Sequence, residues 1–136
     1  MQVHIASAVL VRNGRALLGH RHRYRRWYPD CWDVIGGHVE AGESAEQAVR
    51  RECREELGVQ LEDLAPIDLE FSDQNLTMTA FVVTRWRGEP ENAAPDEHDD
   101  LGWFTAEEIA DLTLADPGIR CALQTAARRS ADRAST

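Results

Sequence analysis

Three glutamates, Glu52, Glu55 and Glu56, stand at i, i+3 and i+4 of a segment with helical periodicity, which brings their side chains onto one face. Folding does not ask for such a cluster, because like charges within one turn repel and the face needs a cation among them. A hard divalent ion with a preference for oxygen is the natural occupant, so the face reads as a site for Mg²⁺ or Mn²⁺. Arg51 lies beside the cluster and four residues before Glu55, a spacing that by itself makes only a surface ion pair.

Local signals define the elements that must position these groups. Ser44 is placed as an N-cap with Gln47 three residues on as its capping-box partner, and Gly58 terminates the run, which predicts a helix over 44–57 with Ala48 and Leu57 toward the core. Before it, Trp32-Asp33-Val34-Ile35 reads as a short strand ending in Gly36-Gly37, whose backbone can bring carbonyls close to a ligand. Val3–Val11 and Ala16–Arg21 flank Asn13-Gly14 and read as a hairpin. After the helix, 64–71 and 77–86 read as strands around a polar turn at 72–75, the second of them central in a sheet. A long polar loop over 88–100, a short strand at 102–104, a short helix over 106–112 and a long helix from Pro117 to about Arg129, capped by Asp116, complete the chain.

The stretch from Gly37 to Val59 reads G-x5-E-x7-R-E-U-x-E-E-x-G-U, where U is bulky and apolar. This spacing is the Nudix box, and the chain resembles the MutT-like Nudix hydrolases. Every charged and glycine position matches; Cys53 stands where an aliphatic residue is usual, serving as a small hydrophobe, and Ile35 stands where most relatives carry proline. The resemblance implies an α/β fold, an α/β/α sandwich with a mixed β-sheet, formed by a single domain over 1–130 with a frayed tail at 131–136. It also implies Glu55 and Glu56 as principal metal ligands, Glu52 as a ligand and possible base, the Gly36 carbonyl as a further ligand, and Arg51 as a cleft residue orienting Glu43 and Glu52. The pattern E-H-x4-W-F at 97–104 is similar to the segment from which MutT-like enzymes send another glutamate to the metal, which points to Glu97. The general base stays open between Glu52 and Glu97. His98 either shuttles a proton or packs in its loop.

Candidate substrate contacts are Arg21, Arg23, Gly37 and Asp116. Arg21 closes a strand where relatives place a phosphate-gripping arginine, and a guanidinium can hold a phosphate through two parallel bonds. Asp116 falls where relatives read the base, though capping its helix explains it as well. Arg25 and Arg26 are either further contacts or a solvated basic loop, and Trp27, Tyr28 or Phe81 could stack on a base or pack in the core.

Composition excludes several classes. The chain has 136 residues, 43% of them hydrophobic, enough for one domain with a real core. It has no apolar run long enough for a membrane span, and Met1–Arg12 alternates rather than showing a signal-peptide pattern, so a cytoplasmic location is expected. The cysteines, Cys31, Cys53 and Cys121, are odd in number and lack C-x-x-C spacing, which argues against disulfides and zinc. A net charge of -9 disfavours stable nucleic-acid binding. The expected partner is a small nucleotide, and the protein a monomer or homodimer.

For activity, the resemblance implies Mg²⁺-dependent cleavage of a pyrophosphate linkage, foremost a (d)NTP to (d)NMP and pyrophosphate, as in the sanitising of a nucleotide pool. ADP-ribose, a nucleotide sugar, a dinucleoside polyphosphate or an RNA 5′ end remain alternative substrates. A non-catalytic nucleotide-binding module is the alternative from another class, and the intact glutamates weigh against it.

Overall fold

The computed structural model of the protein describes residues 3–24 and 29–134. Arg25, Arg26, Trp27 and Tyr28 therefore lie outside the described residues.

The chain opens with β1 (Val3–Arg12) and β2 (Arg15–Arg21), which pair antiparallel across a two-residue turn. Asn13 and Gly14 both have positive φ there, 53° and 80°, the backbone that an Asn-Gly hairpin turn requires. β3 (Trp32–Asp33) and β4 (Ile35–His38) follow, then α1 (Ala45–Leu57), β5 (Gln60–Leu61), β6 (Ala65–Ile67), β7 (Leu76–Val83), β8 (Trp86–Arg87) and β9 (His98–Thr105). The chain closes with α2 (Ala106–Ala110), a 3₁₀ turn over Pro117–Ile119 and α3 (Arg120–Ala134).

The main sheet has the order β3-β2-β1-β7-β6, with β4 also on β1 and β9 also on β2. It is mixed, because β7 runs parallel to β1 from Val3↔Leu76 to Leu10↔Val83 while the other pairs are antiparallel. Alternation along β1 divides the core into two layers. Ala6, Ala8 and Leu10 pack with Ala48, Val49, Cys53 and Leu57 of α1. Val9 and Val11 pack with Leu123, Ala126 and Ala127 of α3. The result is the expected α/β/α sandwich. Among the described residues no helix is long and apolar enough to cross a membrane.

Several boundaries differ from expectation: the strand expected over 77–86 divides into β7, ending at Val83, and β8, which pairs with β5 in a second sheet, and four others differ for a local reason. The segment 32–35 is not one strand, because the chain passes from β2 to β1 at Val34, whose N–H is taken by Asp33 Oδ1 at 2.8 Å. The strand expected over 64–71 shrinks to β6, an edge strand holding Pro66, which cannot donate to a ladder. β9 begins at His98 rather than Gly102, so the polar loop is shorter than it reads. The last helix runs to Ala134 rather than ending near Arg129: it meets no Gly or Pro there, and Ser130 Oγ accepts the Gly14 N–H at 2.9 Å, tying the helix to the first turn.

Candidate active site

α1 lies along β4, and its capping box is formed as expected: Ser44 Oγ accepts from Gln47 N at 3.1 Å while Gln47 Oε1 accepts from Ser44 N at 2.8 Å. Gly58 closes it in the left-handed region at φ 71°. This fixed rod carries the acidic face, and the two glycines of β4 lie under it. A Cβ on Gly37 would sit 2.5 Å from Glu52 Oε1, so the Glu52 carboxylate rests directly on this residue. Gly36 has another cause: a Cβ there would run into Ala6 O and come within 2.8 Å of Ser7 Cα, so close pairing of β4 with β1 demands it.

Arg51 supplies the countercharge. Its Nε and Nη2 donate to Glu43 Oε2 and Oε1 at 2.9 and 3.1 Å, and Nη1 donates to Glu52 Oε1 at 2.9 Å and to Glu55 Oε2 at 3.3 Å. Nη2 also donates to the His38 carbonyl at 3.1 Å, which pins the guanidinium to β4. The bond from Arg51 holds the Glu43 carboxyl below its ordinary range.

The three helix glutamates lie on one side of α1 but do not share one environment. Glu52 and Glu56 line the cleft; Glu55 is 57% exposed on the rim, held by Arg51. The helix explains this, since Glu55 and Glu56 are separated by about 100° and lie on opposite sides of Glu52. Among the described residues no group of three or more His, Cys, Asp or Glu side chains that could hold a metal ion is gathered. Glu56 is buried, with Oε1 2.7 Å from His98 Nε2 and Oε2 without a hydrogen-bond partner. Burial, then the nearby Glu52, and then Glu97 and Glu55 hold its carboxyl well above the usual range. An acid so placed, with one oxygen orphaned beside a second carboxylate, fits a hard divalent cation.

The cleft has a volume of about 770 Å³. Arg21, Asp33, Gly36, Gly37, Glu52, Glu56, Glu97 and His98 all line it. Val3 and Ile5 of β1 add an apolar wall with Leu76 and Met78 of β7, Phe71 joins them, and the Ser7 hydroxyl lies among them. Phe81 packs instead in the α1 core layer.

Two candidate contacts stand elsewhere. Arg23 is exposed, donating to Tyr24 Oη at 2.7 Å and lying over its ring, and it does not line the cleft. Asp116 is 3% exposed, outside the cleft walls, with Oδ2 accepting from Ser72 N and Oγ and Oδ1 accepting from Gly118 N, at 2.7 to 2.8 Å. Burial opposes its charge but these donors prevail and lower its pKa, so its geometry is that of a cap rather than of a nucleobase reader.

Asp33 had no assigned role in the sequence, and no motif marks it. It lies in the cleft wall with its carboxylate 3.7 Å from Arg21 Nη1, the two side chains being 16% and 14% exposed. Burial pushes its pKa from 3.8 up to about 6, against the pull of the Val34 N–H and Arg21, and Asp116 adds to the rise.

The arrangement agrees with a match to the NUDIX domain over residues 2–126. The chain belongs to the Nudix hydrolase family. Like its relatives it is a hydrolase of phosphorus anhydrides, in a family that acts on small nucleotide substrates and generally uses divalent metals. It is 32% identical over 116 residues to the CTP pyrophosphohydrolase of Escherichia coli (strain K12), covering 83% of each chain. To the 8-oxo-dGTP diphosphatase of Proteus vulgaris it is 29% identical over 91 residues, 65% of this chain and 81% of that one. The crystal structure of the MutT NUDIX hydrolase from Burkholderia pseudomallei superimposes with a TM-score of 0.80 at 31% identity, covering 91% of this chain and 97% of the other.

In this Nudix domain the raised Asp33 sets a pH dependence of stability. An acid whose native pKa exceeds its unfolded one binds its proton more tightly when folded, so its contribution is intact below about pH 4, is lost as pH rises through about 6, and then levels off. Asp33→Asn should remove that slope: no gain at pH 4 and a gain of up to about 3 kcal/mol at pH 8, measured by urea denaturation at the two pH values. Equal stability of variant and parent at pH 8 would contradict the assigned burial.

Proposed function

We propose that the protein hydrolyses a nucleoside triphosphate to the monophosphate and pyrophosphate, using Mg²⁺ or Mn²⁺, and that it works in the cytoplasm. The observation that carries this reading is one cleft in which Glu52 and Glu56 stand with Arg21 and an apolar wall. Charged groups for a polyphosphate and apolar surface for a nucleoside are both present, in a volume typical of small-molecule sites.

Glu52 and Glu56 hold the cation, with the Gly36 carbonyl, Glu55 and Glu97 as the further oxygen ligands within the same acidic region. Mg²⁺ characteristically binds through one or two protein carboxylates completed by substrate phosphate and water, so Glu52 and Glu56 suffice as its principal holders. When bound, the cation lowers the pKa of water and neutralises charge building on the phosphates. Arg51 keeps Glu52 oriented while itself fixed by Glu43 and the His38 carbonyl. Arg21 reaches the phosphates, and Glu52 or Glu97 takes the proton of the attacking water. The apolar wall of Val3, Ile5, Leu76, Met78 and Phe71 receives the nucleoside.

A panel of ribo- and deoxynucleoside triphosphates incubated with Mg²⁺ and resolved by chromatography tests this. At least one should give monophosphate and pyrophosphate in equal amounts. Formation of diphosphate and orthophosphate, or turnover confined to ADP-ribose and nucleotide sugars, would contradict it.

A further inference from the structure

We infer that His98 is a positioning residue that holds Glu56 for cation binding, and that Gly19 is the space kept clear for its ring. This rests on the proposed metal-dependent hydrolysis.

His98 and Glu56 are separated by 42 residues, yet Nε2 and Oε1 lie 2.7 Å apart, with both side chains only 4% exposed. The two come from the ends of different elements, β9 and α1, so their meeting requires tertiary structure to aim both. His98 is anchored by its backbone on either side: its N–H donates to Ala94 O at 3.2 Å, and its carbonyl accepts from Asn92 Nδ2 at 2.8 Å. It also pairs with Arg21 of β2, just past a register shift between His20 and Arg21. The shift brings the His98 ring over Gly19. A Cβ on Gly19 would lie 2.6 Å from His98 Nδ1 and 2.9 Å from Cγ and Cε1, so any other residue would push the ring away. Gly19 has no positive φ to explain it, which leaves the ring as the group it accommodates.

The consequence lies at the other end of the carboxylate. With Oε1 engaged by His98, the Glu56 group is fixed about its terminal torsion, and Oε2 is the oxygen without a partner. The bond from His98 therefore helps set which oxygen is offered, beside the neighbouring Glu52 carboxyl. Partners that orient ligands in this way commonly contribute roughly ten- to a hundredfold to metal affinity. A merely structural contact between two buried groups would affect folding and leave cation affinity alone.

The test is Mn²⁺ binding to the intact protein, followed by the electron paramagnetic resonance of free Mn²⁺, alongside thermal unfolding of the same samples. His98→Ala and Gly19→Ala should each weaken Mn²⁺ about tenfold or more, the second with the imidazole still present. His98→Gln, which restores a polar atom near Nε2, should recover most of the loss. If parent protein binds Mn²⁺ and folded His98→Ala or folded Gly19→Ala binds it equally well, the inference is overturned while the proposed function stands. If His98→Ala fails to fold, Gly19→Ala decides in the same terms. Failure of the parent protein to bind Mn²⁺ overturns both.

Discussion

Glu56→Gln is expected to reduce kcat/KM by about a hundredfold or more while making the metal-free protein more stable. The substitution keeps the shape of the side chain and leaves an amide able to bond His98 Nε2, so little packing changes. What it removes is the charge on an acid that is buried beside Glu52. Unfolded, that acid titrates near its ordinary 4.5; in the native protein it is held well above that value. The native state therefore retains a proton that the unfolded state releases, and stability falls as pH rises above about 4.5. Glutamine does not titrate, so the advantage of the variant should widen from pH 5 to pH 8, as urea denaturation at both values will measure. Lost activity together with gained stability is the signature of a group kept for function. Unchanged turnover, or a variant less stable than its parent at pH 8, would contradict the role given to Glu56.

The two adjacent glycines should respond in opposite ways to alanine. At Gly36 the added methyl meets backbone of β1, Ala6 O and Ser7 Cα, which cannot move without parting β1 from β4. Gly36→Ala should lower stability by about 3 kcal/mol or more, seen as an early urea midpoint. At Gly37 the methyl meets the Glu52 carboxylate, a side-chain terminus that can swing aside. Gly37→Ala should therefore change stability by less than about 1 kcal/mol. Its effect falls on turnover, lowered about a hundredfold because a small displacement of a reacting group is costly in rate. Equal destabilisation by both, or full activity of Gly37→Ala, would remove the distinction between a glycine required by the sheet and one required by the site.

What the sequence made legible was local. The Ser44–Gln47 box, Gly58 and the Asn13-Gly14 turn each carry their signal within a few residues, and α1 and the first hairpin appear accordingly. The arrangement across elements was not legible in that way. Asp99 and Asp100 hide the start of β9, since both are exposed there and read as loop. Helical spacing places Glu52, Glu55 and Glu56 on one side of α1 but says nothing of where the cleft wall ends, and that boundary leaves Glu55 on the rim. The pairing of His98 with Glu56 spans 42 residues, and its one trace in the sequence is a glycine in the middle of a strand, Gly19. Asp116 carried two readings; the Gly118 N–H makes it a cap on one oxygen, and Ser72 N and Oγ occupy the other.

The account turns on a divalent cation held between the cleft side of α1 and the phosphates of a nucleotide. Crystals grown with Mn²⁺ and a methylene-bridged nucleoside triphosphate, with anomalous differences collected at the manganese edge, address this directly. The account predicts a peak about 2.0–2.3 Å from carboxylate oxygens of both Glu52 and Glu56 and from a phosphate oxygen. A fully bound nucleotide with no manganese at those glutamates would contradict it.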